Sequence, residues 1–202
     1  MTTEGILSSW FPDYLSVEAN EAFQKAFGRF DSLRSIFSSS QIGNVQGAAF
    51  TGFVVLRKKG AGQCEEKEVS GIILSNSCDI DDRNRRDYPI NVTFAPLLSL
   101  DALGALWRSA GVNEEQISSK LNMVKRQTVS HLFYLPNGPH SKEAVADFSM
   151  LGVMRMDDFM NKSTKKHIFT LDQIGYYFLL IKLSIHFLRL TDGVQREPQL
   201  AS

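Results

Sequence analysis

The chain has 202 residues, and its 22 basic and 22 acidic side chains give a net charge of zero at pH 7. A neutral chain is unlike a protein whose whole surface covers nucleic acid, although a local basic patch stays open. Two cysteines, Cys64 and Cys78, exclude a disulfide framework, and with no secretory signal at its start the chain is expected in the reduced cytoplasm. The length predicts a single domain over residues 1–202.

The first predicted element is a helical N-terminal extension over residues 1–40. Ser16 is a suitable N-cap, and apolar side chains then recur at three- and four-residue spacing. This stripe comprises Ala19, Ala22, Phe23, Ala26, Phe27, Phe30, Leu33, Ile36 and Phe37. A helix with so many phenylalanines on one face requires a partner surface, in this chain or in another.

Three strands are predicted next, at residues 48–56, 68–76 and 90–95, because these runs are rich in β-branched and aromatic residues. Pro96 is expected to close the third strand. Between the second and third strands lies an unusually charged loop, residues 79–87, with four Asp and three Arg.

The remaining chain predicts a helical insert, further strands and a long final helix. The insert, residues 99–126, holds two helices at 101–110 and 113–124. Gly111 is expected to stop the first helix, and Asn113 to open a capping box for the second. Later strands are predicted at 128–135, at 144–156 as one bent strand or two short ones, and at 165–169. Thr170 opens a capping box for a helix over residues 170–190.

That last helix is apolar enough to suggest a membrane segment, but three basic side chains argue against one. Lys182, His186 and Arg189 share one helical face, and charges are costly in lipid. We therefore expect a mostly buried amphipathic helix and no membrane insertion.

The pattern predicts an α+β fold. The strands are short and their connections are too short for parallel crossovers, so the sheet should be antiparallel and curl into a small barrel. The barrel occupies residues 48–158, and the helices at either end are expected to cover its open edge.

The order of strands resembles the SH3-like barrel of the MazF/PemK toxin family. The matching features are the strand and polar turn at 72–79, the strand and Pro-containing loop at 90–96, and the strands at 128–135 and 144–156. The resemblance is one of pattern and covers about half of the chain. It implies an SH3-like barrel, a prokaryotic stress or phage-defence setting, and a link to RNA cleavage. The Arg-Pro pair usual in that family is absent, since residues 69–71 are Val-Ser-Gly.

Cys78 and Asp79 are the first candidate catalytic residues because they follow a strand in a small polar turn. A reactive thiolate needs a nearby base or cation, which His131 could supply from a later strand. The alternative is structural: Cys78 is a small buried hydrophobe and Asp79 forms an Asx turn. A redox-responsive switch at Cys78 is a further alternative.

Two groups of basic residues are candidates for binding phosphate or nucleic acid. One is Arg83, Arg85 and Arg86 of the charged loop, whose alternative is self-paired surface charge. The other is the helical row of Lys182, His186 and Arg189, whose alternative is a solvent-facing stripe. The histidines and cysteines show no metal-ligand spacing, so no metal and no cofactor are predicted.

Two functions follow, from different classes. The favoured one is a non-catalytic binding or assembly module, with a protein partner or self-association through the Phe-rich helices. The alternative is a metal-independent endoribonuclease in which Asp79, His131 and an arginine of the charged loop serve as base, acid and phosphate-stabilising cation. The sequence leaves open whether the chain is an enzyme.

Overall fold

The computed structural model describes residues 36–40, 43–60, 62–81, 83–84, 87–138 and 142–187. These ranges contain seven strands, five α-helices and a 3-10 turn at Phe148–Met150. The strands are β1 Ala48–Lys59, β2 Gln63–Ile73, β3 Asn91–Ser99, β4 Leu132–Leu135, β5 Ala144–Asp147, β6 Gly152–Arg155 and β7 His167–Thr170. The helices are α1 Ser77–Ile80, α2 Leu100–Ser109, α3 Glu114–Lys125, α4 Met156–Met160 and α5 Gln173–Phe187.

The strands form one antiparallel sheet in the order β4-β5-β3-β2-β1-β7, and β6 also pairs with β3. The antiparallel sheet and the mixed α/β class confirm that part of the prediction. The sheet is open: β4 and β7 are its two ends, and no pairing between described strands joins them. The closed barrel that the sequence predicts is not formed by the described strands, although β1, β2, β3 and β6 all contribute side chains to one core cluster.

β3 is the most extensively paired strand of the described sheet because it pairs with three strands. Its first half pairs with β6 and its last three residues pair with β5, while β2 lies along the other side. β5 and β6 are two short strands separated by the 3-10 turn, which is one of the two forms predicted for residues 144–156.

Pro96 lies inside β3 and does not end it as predicted. The amide of Leu100 donates to the carbonyl of Glu143, 3.0 Å away. Because the backbone N–H and C=O groups of successive residues alternate in direction along a strand, those of the even-numbered residues of β3 point toward β5. The missing N–H of Pro96 therefore falls one residue past the last β3–β5 pair, Leu97 opposite Ala146. No ladder hydrogen bond is lost there, so the strand continues.

One face of the sheet is covered by α5. Phe178 and Leu179 of the helix pack with strand residues such as Ile72, Ala95 and Phe133 in the larger core cluster. Phe37 also belongs to this cluster, as part of a bridge to Leu171 that extends the sheet beyond β7. The expectation that Phe37 extends the N-terminal helix is therefore wrong; residues 1–35 lie outside the described part.

The opposite face carries two further core clusters. Phe53 stacks between Phe94 and Phe159, with ring centroids 4.2 and 4.4 Å apart, and α4 closes this cluster. The second cluster lies under α2 and α3, against β4 and β5. Gly52 lets β1 bulge here, with a φ of 91° and only 3.1 Å between a would-be Cβ and the Cα of Lys165.

The caps of the helices show where the predictions hold. Ser99 and Asn113 accept hydrogen bonds from the amides of Ala102 and Gln116, and Gly111 follows α2 with a φ of 84°, as predicted for a helix stop. For α5 the cap is Asp172 rather than Thr170, because the Asp172 carboxylate accepts from the amide of Gly175 at 2.7 Å.

β1 and β2 continue beyond the sheet as a two-stranded ribbon, which we define as residues 54–60 and 62–69. Their pairing runs to Lys59 opposite Gln63, whereas β7 and β3 support only Ala48–Phe50 and Gly71–Ile73. β2 begins five residues earlier than predicted because this charged stretch is paired although it is exposed.

Candidate functional site

The turn after β2 that carries Cys78 and Asp79 is a short capped helix, α1. Asn76 precedes it, and its side chain accepts a hydrogen bond from the amide of Cys78 at 2.9 Å. The carbonyl of Cys78 accepts from the side chain of Asn84 at 2.8 Å. Ile80 is buried and anchors the turn, whereas Cys78 is exposed at the surface. The expectation of a buried Cys78 is therefore wrong.

Two residues far away in sequence hold this turn in place. The amide of Thr93 donates to Ser75 Oγ at 2.7 Å, which ties the turn to the start of β3. Gln46 ties it to β1: its amide donates to Ser77 Oγ at 3.0 Å, and its side chain donates to the carbonyl of Leu74 at 2.7 Å. The Tyr176 hydroxyl of α5 donates in turn to the Gln46 side chain at 3.0 Å. A loop with this many tertiary hydrogen bonds presents its side chains from a rigid base.

Asp79 lines a surface cleft of about 390 Å³ between the turn and the start of β3. We call it the Asp79 cleft; it is lined by Ser75, Asp79, Tyr88, Pro89, Ile90, Asn91 and Thr93. Its walls are mostly polar, but Tyr88 stands beside it with 61% of its surface exposed. An aromatic side chain exposed to this degree next to a rigid polar cleft is typical of contact surfaces.

The outer face of β6 continues the surface of the Asp79 cleft. Val153 lies directly opposite Thr93, and Arg155 directly opposite Asn91. Side chains of directly opposed residues stand on the same face of a sheet, with Cβ atoms about 5 Å apart. Val153 is 64% exposed, and Leu151 on the same face is 38% exposed. The polar cleft therefore borders a row of exposed apolar side chains.

The charged loop after α1 is partly self-paired. Arg83 Nη2 lies 2.6 Å from Asp81 Oδ2, and the Arg83 backbone amide also donates to that carboxylate. An ion pair this exposed contributes little stability, about 0–1 kcal/mol. Arg85 and Arg86 lie outside the described residues, so their predicted role in binding phosphate stays a prediction.

His131 lies at the start of β4, half-buried, and its carbonyl accepts from the amide of Phe148 at 2.8 Å. In the sheet order, β5 and β3 separate β4 from β2, which leads into the Asp79 turn. Three strand spacings of about 4.8 Å give about 14 Å across the sheet. The structure thus brings Asp79 and Arg83 into one loop, but places His131 on a different strand.

The predicted basic row on the last helix does not form a solvent-facing stripe. Lys182 is buried at 5% exposure, and its ammonium donates a hydrogen bond to the carbonyl of Gln127. The ring of His186 packs against that of Phe148, 5.9 Å between centroids. Arg189 lies outside the described residues. The expectation of a solvent-facing Lys182 is wrong, because the side of α5 that carries Lys182 packs against the end of α3.

Gln127 explains how a lysine can be buried there. It follows α3 with a φ of 59°, so its carbonyl is turned toward α5 at the helix C-terminus, where a cation is favoured. Its side chain bonds both the amide and the carbonyl of Tyr134, at 3.1 and 2.8 Å, and so occupies the outer edge of β4. Burial lowers the pKa of Lys182 from 10.5 to about 8.

A second, open groove of about 500 Å³ runs between α2 and α3. Both cations that line it are paired: Arg108 with Glu114 at 2.5 Å, and Lys125 with Glu143 at 2.8 Å. Burial raises the pKa of Glu143, but hydrogen bonds from Lys125 and Tyr134 outweigh it and hold that pKa below its ordinary value. Since both cations already contact a carboxylate, neither is available to bind an anionic ligand in this groove.

Sequence reasoning missed Gln46, Tyr88 and Val153 as parts of the site. Tyr88-Pro89 before a strand was a usable signal, since an aromatic residue in a charged loop is rarely there for packing. No local signal marks Gln46 or Val153, because their roles come from contacts across the sheet.

Among the described residues, no three His, Cys, Asp or Glu side chains are grouped so that they could hold a metal ion. No helix in the described ranges is long and apolar enough to span a membrane. No protein-family model matches the chain, and neither does any curated protein sequence.

Proposed function

We propose that the chain is a non-catalytic binding and assembly module, and that the Asp79 cleft with the outer face of β6 forms its contact surface. The observation that carries the proposal is the exposure of Val153, at 64%, beside a cleft whose turn is fixed by hydrogen bonds from Gln46 and Thr93. A valine on a strand beside an ordered cleft gains about 1.5–3 kcal/mol when a partner covers it fully.

The composition of this surface suits a protein partner. Tyr88, Leu151 and Val153 supply apolar area, and Asp79, Asn91 and Arg155 surround them with polar groups. Contact surfaces commonly combine an apolar centre with a polar rim, and tyrosine and arginine are enriched in them. Because the turn is already ordered, little conformational entropy is lost on binding.

The resemblance to the MazF/PemK family supplies the proposed setting. The four strands around Phe53 are the part of the sheet that would correspond to an SH3-like barrel, left open between β6 and β1. On this proposal the protein acts in the cytoplasm, in a prokaryotic stress or phage-defence system of toxin–antitoxin type. A shared architecture does not carry a shared activity.

The endoribonuclease stays the alternative, and one observation favours it: Asp79 lines a cleft large enough for a nucleotide base. Two observations weigh against it. Arg83 is engaged by Asp81, and two strands lie between β4, which follows His131, and β2, which leads into Asp79. A base and an acid must both reach the reacting phosphate, so this separation disfavours the predicted trio.

The binding proposal is tested by affinity capture from cells of the source organism, with three forms of the full chain as bait. Val153→Glu places a charge on the contact surface. Leu106→Glu is the matched control, since Leu106 is 55% exposed but lies on α2. We expect at least one protein to be captured by the native chain and the control, and to fall at least tenfold with Val153→Glu.

Equal capture by all three folded forms would refute the assignment of the surface. Thermal melts of the three forms exclude a folding defect, because substitutions at exposed sites change stability by about 0.5 kcal/mol.

A further inference from the structure

The ribbon formed by β1 and β2 is exposed on both faces from Leu56 to its tip, whereas Val55 and Val69 at its base pack against the core cluster of Phe53. Leu56, near its middle, is 73% exposed, the largest exposure of a bulky apolar side chain among the described residues. An isolated two-stranded ribbon is only marginally stable in water, since neither face is covered. Pairing nevertheless continues to the tip, where Lys59 and Glu65 form an ion pair of 3.3 Å.

The register of the ribbon sorts its side chains into two different faces. Directly opposed residues share a face, and neighbours along a strand alternate. The acidic face holds Val54, Leu56, Lys58, Cys64, Glu66 and Glu68. The basic face holds Val55, Arg57, Lys59, Gln63, Glu65 and Lys67.

The charges that remain after internal pairing are opposite on the two faces. On the basic face, Lys59 is paired with Glu65, which leaves Arg57 and Lys67. On the acidic face, Glu66 and Glu68 stand on one strand, opposite the apolar Leu56 and Val54, and Lys58 lies nearer the tip, opposite Cys64. Counting Lys58 against Glu66 and Glu68, the acidic face has a net charge of −1, and counting Glu65 against Arg57, Lys59 and Lys67, the basic face has a net charge of +2. Each face also carries exposed or half-exposed aliphatic side chains.

We propose that the ribbons of two copies of this chain stack face to face, the acidic face of one against the basic face of the other. Stacked sheets lie about 10 Å apart, a distance at which Glu66 and Glu68 can meet Arg57 and Lys67 while Leu56 and Val55 are covered. The occupant is a second copy because the chain itself supplies the complementary charge pattern. The proposal does not depend on the function assigned to the Asp79 cleft.

The contact is heterologous, since the two surfaces that meet are different. In a pair of copies, one copy keeps its basic face free and the other its acidic face, so association is open-ended unless a ring closes. This separates the proposal from a two-fold dimer, in which one patch meets itself.

The experiment uses sedimentation velocity of the full chain over a range of concentrations, with two neutralising double variants. One combines Glu66→Gln with Glu68→Gln, and the other Arg57→Gln with Lys67→Gln. We expect the native chain to form species that grow with concentration, and each variant alone to be monomeric. An equimolar mixture should form a one-to-one dimer and nothing larger, because only one intact pair of faces remains. Raising the ionic strength from about 0.1 M to about 1 M shortens the Debye length from about 10 Å to about 3 Å, and should weaken association of the native chain at least tenfold.

Three results would overturn the proposal. They are a native chain that is monomeric at every concentration, double variants that associate as the native chain does, and a mixture that stays monomeric. The matched control combines Glu115→Gln with Arg126→Gln, two exposed charges on and after α3, and should associate like the native chain. Loss of association in that control would show a general charge effect and would equally refute stacking.

Discussion

The buried ammonium of Lys182 allows a quantitative prediction. Burial lowers its pKa from 10.5 to about 8, with no ion-pair partner for it among the described residues. At 1.36 kcal/mol for each pKa unit, the charged form is destabilised by about 3 kcal/mol in the folded state. Between pH 8 and 10.5 the unfolded chain holds this proton and the folded chain does not. The free energy of unfolding therefore rises with pH across that window, and the stability is lost as pH falls toward 8.

Lys182→Met removes both the charge and the hydrogen bond to the Gln127 carbonyl. An unsatisfied carbonyl costs about 1–2 kcal/mol, so at pH 7 the variant should be more stable than the native chain by about 1–2 kcal/mol. In a chain of this length that raises Tm by about 2–8 °C. Above pH 10.5 the desolvation cost has gone, and the native chain should be the more stable by about 1–2 kcal/mol.

The assay is urea unfolding of both forms from pH 7 to pH 11. Lys142→Met, at an exposed lysine, is the control and should parallel the native curve. We expect the native and Lys182→Met curves to cross between pH 8 and 10.5. A difference that does not change with pH, or a variant less stable by several kcal/mol at pH 7, would refute the reasoning.

Three further expectations follow from single contacts. Gln127→Ala loses both hydrogen bonds to Tyr134 and leaves a non-glycine residue at a φ of 59°. We therefore expect urea unfolding to show a loss of about 2–3 kcal/mol in the free energy of unfolding. A change under about 0.5 kcal/mol would contradict the role of Gln127 at the edge of β4. Gly152→Ala places a methyl group against the buried Phe94 ring and should cost about 1–3 kcal/mol in the same assay, whereas Gly60→Ala, with open space around it, should not have this packing cost. Asp79→Asn should leave Tm nearly unchanged; chelator-resistant RNA cleavage by the native chain that vanishes in this variant would favour the endoribonuclease over the binding module.

The elements that sequence predicted well are those whose signals are local. α2 and α3 lie where they were predicted, Gly111 has the left-handed conformation expected of a helix stop between them, and the Asn113 side chain caps α3. β1 was visible in its aromatic and β-branched residues. These signals need no knowledge of what lies across the sheet.

The elements that sequence placed wrongly depend on distant partners. Pro96 stays within β3 because it lies one residue past the last β3–β5 pair, Leu97 opposite Ala146. The charged start of β2 is a strand because β1 pairs with it. Phe37 is bridged to Leu171 instead of continuing a helix. A charge on an apolar helix normally faces water, but Lys182 finds a carbonyl at the end of α3.

In the candidate site, too, residues with a local sequence signal were predicted, and residues placed by distant contacts were missed. Asp79 was identified from its turn, since a strand ending in small polar residues is a local pattern. The adjoining Val153 was not, because only the register between β3 and β6 brings it beside Thr93. His131 was paired with Asp79 on the assumption that its strand lies nearby, and the sheet order places two strands between them.

The most direct test of the proposed contact surface is amide hydrogen exchange of the full chain, alone and with the captured partner. We expect new protection in residues 75–80, 88–93 and 151–155, and unchanged exchange in α2 and α3. Protection confined to the groove between α2 and α3, or to the ribbon, would contradict the assignment of the Asp79 cleft and the outer face of β6.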